Sequence, residues 1–256
     1  MTQQDESLEE ARMPITEHLE ELRRRLLICL AAVGLGFAVS LAMTEPVVRW
    51  LRRPLGEELY FFSPTEAFWT HLKVAFFTGL FLALPVVLYQ LWRFVAPGLY
   101  RRERRYALLF VLLSLFFLVL GLLFCAYIAL PFAMKFLIQF GTERGIKPLI
   151  SISMYIDFTL KFYLAFGLIF QLPLALTLLA RVGLLTTHVL ARNRKYAFLL
   201  NAIVAAILTP TSDIFNMMLM LIPLTVLYEL GILGARVFGA RKQYAAGKVE
   251  PHAGVT

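Results

Sequence analysis

Long uncharged apolar runs alternate with short polar segments along most of the chain. A transmembrane helix needs about 20 apolar residues to cross a hydrocarbon core of roughly 30 Å. Two runs fall short of that length. Residues 197–208 cover only about 18 Å at 1.5 Å per residue, and the last uncharged run ends at Tyr228, before Glu229. The pattern predicts an all-α membrane protein with six transmembrane helices, of which the fifth and sixth are short. The predicted spans are 26–43, 74–92, 106–134, 162–180, 197–208 and 214–233.

Polar segments flank this predicted transmembrane domain, which covers residues 26–235. Residues 1–25 are predicted to form an amphipathic leader, and residues 236–256 a polar tail. A cleaved signal peptide is the alternative interpretation of the first apolar run. The leader is long and acidic, however, and no small-x-small cleavage pattern follows the run before Thr44 and Glu45, so we interpret the run as an uncleaved helix.

Composition and charge support a membrane protein. Of the 256 residues, 59% are hydrophobic and 16% are charged, which excludes an ordinary soluble domain. The chain carries a net charge of +8, and 17 of its 25 Lys and Arg residues lie in the leader, the second-to-third and fourth-to-fifth connections and the tail. The positive-inside rule therefore predicts that both termini are cytoplasmic, and no nucleic-acid partner is expected.

The usual patterns of catalytic or metal-binding chemistry are absent from the sequence. No His-Glu-x-x-His, Gly-x-Ser-x-Gly or P-loop motif occurs, and all four histidines lie outside the apolar runs. Cys29 and Cys125 lie inside apolar runs, as small buried hydrophobic residues do. We therefore predict no enzyme activity, no cofactor and no metal. A small-solute secondary transporter remains the alternative function, although scarce charges at membrane depth and the lack of an internal repeat disfavour it.

Two acidic residues of the predicted cytoplasmic segments lie close to arginines and are candidates for binding. Glu21 lies four residues before Arg25, so an i, i+4 ion pair on an amphipathic helix is one interpretation. Glu103 is flanked by two arginines on each side, so relief of charge repulsion is the corresponding interpretation there. Alternatively, the two carboxylates accept forked hydrogen bonds from two arginines of a partner.

Several motifs, in a shared order, make the chain resemble the TatC family, the six-helix core of the twin-arginine protein translocase. The resemblance extends from about Pro14 to Arg241. The motifs that carry it are His18-Leu19-Glu20-Glu21-Leu22-Arg23-Arg24-Arg25, Ser63-Pro64-Thr65-Glu66, Leu84-Pro85-Val86-Val87-Leu88-Tyr89-Gln90, Trp92-Arg93-Phe94-Val95-Ala96-Pro97-Gly98-Leu99-Tyr100, Glu103-Arg104-Arg105, Thr209-Pro210 and Tyr228-Glu229-Leu230-Gly231.

The resemblance implies a multi-pass protein of the bacterial inner membrane that binds twin-arginine signal peptides of folded cargo. In this family one acid of the opening motif and one acid after the second helix recognise the arginine pair, and these positions correspond to Glu21 and Glu103. Four further positions, Arg23, Pro54, Phe94 and Tyr127, match functionally sensitive residues of the family. The resemblance also implies TatA-like and TatB-like single-span partners, several copies in one complex, and energy from the proton-motive force.

Two positions depart from the family pattern. Where the family usually has Phe-Glu-x-Pro in the fourth helix, this chain has Phe170-Gln171-Leu172-Pro173. A neutral Gln171 either docks a polar side chain of a partner helix or makes an internal hydrogen bond near the backbone defect at Pro173, and the sequence leaves both interpretations open. After the fifth helix the chain reads Thr-Pro-Thr-Ser-Asp, in which Asp213 is expected to be the N-cap of the sixth helix.

Overall fold

The computed structural model describes residues 15–55, 58–95, 107–209, 211 and 213–238. These residues are almost entirely helical. The helices are α1 (Ile15–Arg52), α2 (Pro64–Val95), α3 (Ala107–Phe124), α4 (Leu130–Thr142), α5 (Ile152–Ile169), α6 (Leu172–Val182), α7 (Thr187–Arg192), α8 (Arg194–Leu208) and α9 (Ile214–Phe238). Two strands, β1 (Leu59–Tyr60) and β2 (Ile150–Ser151), form a short parallel pair.

Five candidate membrane spans are found in the described part of the chain. They comprise α1, α2, the α3–α4 rod, the α5–α6 pair and α9. The predicted fifth span corresponds to α8, whose 15 residues extend only about 22 Å. An all-α membrane fold is thus confirmed, whereas a sixth span stays a prediction. The prediction of a short sixth helix is wrong, because α9 has 25 residues and continues past Glu229 to Phe238.

Two of the long spans are interrupted, each next to a proline. Between α3 and α4 the chain forms a π-helical turn, Cys125–Ala129, in which the Leu130 N–H donates to the Cys125 carbonyl. Pro131 does not end this span: the helix continues to Thr142, and the wider turn accommodates the proline ring. Between α5 and α6 the helix breaks at Phe170 and Gln171, just before Pro173.

The first two long helices form an antiparallel hairpin with a very close crossing. A Cβ added to Gly36 would lie 2.5 Å from the Gly79 carbonyl oxygen, and one added to Gly79 would lie 2.4 Å from the Phe37 nitrogen. Backbone therefore contacts backbone at this point, which only glycine permits. The end of the hairpin that carries Glu21 is called the Glu21 end below, and the opposite end, where α1 stops before Pro54, is called the Pro54 end.

A polar network at the Pro54 end joins α2 to the start of α5. One Glu66 oxygen accepts a hydrogen bond from the Phe62 N–H (2.7 Å), and the other accepts from the Ser151 hydroxyl and the Ser153 N–H (3.1 Å). The Tyr155 hydroxyl donates to the Leu51 carbonyl of α1 (2.6 Å). These bonds fix the mutual registry of α1, α2 and α5.

The buried core lies where α5 packs against the α3–α4 rod, α2 and α9. Its fully buried large side chains are Tyr155, Phe162, Phe166, Leu130, Ile156 and Met220. The outer faces of the long helices, by contrast, present exposed Leu, Ile, Val and Phe side chains over most of their length. Such a surface suits a lipid environment and is unlike that of a soluble helical protein.

Candidate functional site

Glu21 lies on the inner side of the hairpin at the Glu21 end. The Arg25 Nε donates to Glu21 Oε1 (3.2 Å), and its Nη2 also contacts Oε1. The third donor, Nη1, reaches the backbone carbonyl of Gln90 in α2 (3.4 Å). Only 25% of the Glu21 side chain and 12% of the Arg25 side chain are exposed. The predicted i, i+4 ion pair is therefore present, and it additionally ties α1 to α2.

Two further predicted site residues lie at the same end. Arg23 is exposed on α1, two residues from both Glu21 and Arg25, while Phe94 is half-buried in the last turn of α2. The neighbouring Trp92 is buried against Phe110 of α3, with ring centroids 4.8 Å apart. Glu103 lies outside the described residues, in the connection that follows α2. Thus the structure places Glu21, Arg23 and Phe94 at one end of the hairpin, from which the Glu103 segment continues.

Pro54 and Tyr127 lie far from this end. Pro54 is half-buried in the turn that follows the 38 residues of α1, about 57 Å along the helix from its start. Tyr127 belongs to the π-helical turn, and 72% of it is exposed. Within the described chain, Pro54 and Tyr127 therefore do not form a common site with Glu21. Their roles stay predictions, and the π turn explains why Tyr127 points outward beside the buried Cys125 and Ala129.

Gln171 makes an internal hydrogen-bond pair in the middle of the bundle. The Ser114 hydroxyl of α3 donates to Gln171 Oε1 (2.7 Å), and Gln171 Nε2 donates to the Ser114 backbone carbonyl (3.0 Å). Of the two interpretations left open by the sequence, the geometry favours the internal bond. Its partner is α3, however, and not the backbone freed at Pro173.

We expect the Ser114–Gln171 pair to contribute a measurable coupling energy. A double-mutant cycle with Ser114→Ala and Gln171→Leu should give about 0.5–2 kcal/mol, the range for hydrogen bonds between transmembrane helices. Thermal unfolding of the four purified variants in detergent provides the measurement. Strictly additive losses would contradict the pair and would favour docking of a partner helix at Gln171.

Asp213 caps the N-terminus of α9. Its Oδ1 accepts from the Asn216 N–H (2.7 Å), and its Oδ2 accepts from the Asn216 side-chain amide (2.9 Å). Burial raises the pKa of the Asp213 carboxyl, but hydrogen bonds from Asn216 and Thr211 outweigh this effect and hold the pKa below its usual range. The expected capping geometry is thus present, and it explains this residue without a binding role.

The contacts between separate helices could not be predicted from the sequence. Ser114 could have been singled out as a residue that needs a polar partner, since it is the only Ser, Thr, Asn or Gln in the uncharged run 106–134. Glu66 lies in one of the motifs shared with the family, but that motif does not predict its bonds to Ser151 and Ser153. Within the described residues, no cluster of three His, Cys, Asp or Glu side chains could hold a metal ion.

Known proteins resemble this chain over most of its length. The family model described as TatC, Sec-independent protein translocase protein, matches residues 17–223. The TatC protein of Desulforapulum autotrophicum is 44% identical over 242 residues, covering 92% of this chain and 89% of that protein. The TatC protein of Aquifex aeolicus is 38% identical over 237 residues, covering 90% and 98%. A crystal structure of the twin arginine translocase receptor TatC superimposes with a TM-score of 0.77 at 38% identity, covering 86% of this chain and 98% of that chain.

Proposed function

The chain belongs to the TatC family and is a multi-pass membrane component of the twin-arginine translocase, a non-enzymatic protein, and we propose that its Glu21 end is the receptor for twin-arginine signal peptides. Glu21 and Glu103 each bind one guanidinium of the arginine pair in this proposal. The apolar part of the signal then packs along the transmembrane helices. The small-solute transporter alternative is not favoured by the family membership.

The observation that carries this proposal is the environment of Glu21. Its side chain is three-quarters covered, and its carboxylate accepts hydrogen bonds from Arg25, which also reaches the Gln90 carbonyl of α2. Partial burial strengthens hydrogen bonds to a charged group relative to those in open water. Since the chain continues from α2 into the Glu103 segment, the two acids come from adjoining elements, as recognition of two neighbouring arginines requires.

We further propose six spans with both termini in the cytoplasm of a bacterial cell. The basic ends of the described helices support this topology, because Arg93, Arg181, Arg194 and Arg236 all lie at the Glu21 end when successive spans alternate in direction. In this topology α8 is the fifth span. The Arg194 guanidinium binds Glu229 of α9 (2.8 Å) and so joins the two helices at their cytoplasmic ends.

Single-span TatA-like and TatB-like proteins are the proposed partners, in a complex with several copies of the chain. The support comes from α8, which is about 22 Å long and leaves much of its apolar surface exposed. A helix this short thins the surrounding bilayer or requires a neighbour to cover it. We place partner helices along α8 and α9 and near Gln171, and the proton-motive force supplies the energy for translocation.

The receptor proposal predicts that purified protein binds an Arg-Arg signal peptide more tightly than a Lys-Lys peptide. Glu21→Gln and Glu103→Gln should each weaken Arg-Arg binding by about 10- to 100-fold, because a hydrogen bond to a charged group contributes about 1.5–3 kcal/mol. Fluorescence anisotropy with labelled peptides in detergent provides the affinities. Glu58→Gln is the matched control, since Glu58 is an exposed acid at the Pro54 end.

Two results would contradict the receptor proposal. Equal binding of the two peptides by the wild-type chain would show that it does not discriminate arginine from lysine. Equal binding of the Arg-Arg peptide by wild type, Glu21→Gln and Glu103→Gln would exclude the two acids as the site. Solute uptake into proteoliposomes that contain only this chain would revive the transporter alternative.

A further inference from the structure

We infer that Arg25 is a positioning residue for arginine recognition: it fixes the Glu21 carboxylate relative to the end of α2 and thereby sets the selectivity of the site for Arg-Arg over Lys-Lys. This inference rests on the receptor function proposed above. It assigns a role in selectivity to a residue that the sequence marked only as the i, i+4 partner of Glu21.

The geometry around Arg25 distinguishes it from the neighbouring arginines. Arg23 and Arg24 are exposed, whereas the Arg25 side chain is only 12% exposed. It uses Nε and Nη2 on Glu21 and Nη1 on the Gln90 carbonyl, which is 65 residues away in sequence. Three donors pointing in fixed directions therefore connect one acid of α1 to the backbone of α2.

A surface ion pair would not need this arrangement. Exposed i, i+4 pairs are held loosely and are screened by salt. Here the Gln90 residue is itself buried, and its carbonyl belongs to a rigid helix, so the guanidinium has a fixed anchor. The Glu21 carboxylate is consequently held at a constant distance from α2, in place of sampling several rotamers.

Only arginine can make both contacts at once. Its planar guanidinium offers five N–H groups in a fixed fork, whereas lysine has a single nitrogen at the end of a flexible stem. A lysine at position 25 would keep the charge and could still approach Glu21, but it could not also hold the Gln90 carbonyl. The Glu21 carboxylate would then lose its fixed position relative to the end of α2.

The position of the Glu21 carboxylate matters for selectivity. A guanidinium forms two parallel bonds with a carboxylate only when the planes and distances match, while an ammonium ion tolerates many positions as a point charge. A displaced Glu21 carboxylate therefore lowers the affinity for the Arg-Arg peptide more than the affinity for the Lys-Lys peptide. Loss of Arg25 should thus reduce the preference for the Arg-Arg peptide over the Lys-Lys peptide, in addition to any loss of protein stability.

Arg25→Lys in the full-length protein tests this inference, with Arg24→Lys as the matched control on the exposed face. We expect Arg25→Lys to weaken binding of the Arg-Arg peptide about tenfold, the scale of one lost charged hydrogen bond, and to bind the Lys-Lys peptide almost unchanged. Arg24→Lys should leave both affinities and their ratio at the wild-type values. Glu21→Asp is the second variant, because it keeps the charge but withdraws the carboxylate from Arg25, and it should show the same loss of preference.

The outcomes separate the inference from the receptor proposal. If wild type prefers Arg-Arg, Glu21→Gln abolishes the preference, and Arg25→Lys retains it, then Arg25 does not position the site and only the inference falls. If Arg25→Lys lowers the unfolding temperature while the affinity ratio stays at the wild-type value, the role is merely structural and the inference is again overturned. If wild type itself lacks the preference, the receptor proposal fails first. Should Arg25→Lys not fold, an unchanged affinity ratio in Glu21→Asp overturns the inference on its own.

Discussion

Gly79→Ala should destabilise the protein by about 3 kcal/mol, the upper part of the range for overpacking a buried contact. The added Cβ would lie 2.4 Å from the Phe37 nitrogen and 2.7 Å from the Gly36 carbonyl carbon, and backbone atoms cannot rotate away as a side chain can. The helices α1 and α2 would have to separate or slide. Thermal unfolding in detergent should therefore show a clearly lowered transition temperature.

The same substitution should also weaken Arg-Arg peptide binding. Arg25 lies about 11 residues before Gly36, and Gln90 about 11 residues after Gly79, which is close to three helical turns in both cases. The Arg25–Gln90 contact and the glycine crossing therefore lie on the same face of the hairpin. Any separation at the crossing lengthens the Arg25–Gln90 hydrogen bond, which is already 3.4 Å long.

Gly34→Ala is the matched control for this substitution. Gly34 lies two residues from Gly36 in the same helix, and a Cβ added there meets nothing within 4 Å. Alanine is favoured over glycine in a helix by up to about 1 kcal/mol, so this control should be neutral or slightly stabilising. Equal effects of the two substitutions would show that the close crossing is absent in the protein.

The apolar pattern predicted the positions of the helices but not their full lengths. Four of the six predicted runs each lie within one helix, whereas 106–134 and 162–180 each extend, as far as the chain is described, across an interruption between two helices. The helix α1 continues beyond the first run through Pro46 to Arg52. Beyond a hydrocarbon core, water and neighbouring segments can solvate polar side chains of an unbroken helix, so hydropathy does not mark the helix end. The end of α9 was missed for the same reason, because the predicted span stops at residue 233 and the helix continues through Arg236 to Phe238.

Local contacts at the candidate site could be predicted, whereas contacts between helices could not. The Glu21–Arg25 pair follows from i, i+4 spacing, and the Asp213 cap follows from its position before an apolar run. The contacts of Arg25 with Gln90 and of Gln171 with Ser114 span 65 and 57 residues. They depend on the registry of packed helices, which the close glycine crossings determine and which no single segment encodes.

The second glycine crossing leads to a prediction for the α3–α5 interface. A Cβ added to Gly121 would lie 2.8 Å from the Phe166 carbonyl oxygen and 2.9 Å from two atoms at the base of the Phe170 side chain. We expect Gly121→Ala to cost about 2–3 kcal/mol, since the nearest atoms belong to the backbone or to a buried aromatic side chain. Thermal unfolding in detergent measures this loss.

Gly167→Ala provides a control within the same interface. Gly167 is also buried between these helices, but the nearest atom to its added Cβ is a Leu118 methyl at 3.5 Å, an ordinary van der Waals distance. The same change of residue type should therefore be tolerated at 167 and not at 121.

Gly121 packs against Phe166 and Phe170, next to the break between α5 and α6. A displacement of α3 at Gly121 should therefore also disrupt the Ser114–Gln171 pair. The coupling energy of that pair should then vanish in a Gly121→Ala background and persist in a Gly167→Ala background, and the reverse result would contradict the observed packing of α3 on α5.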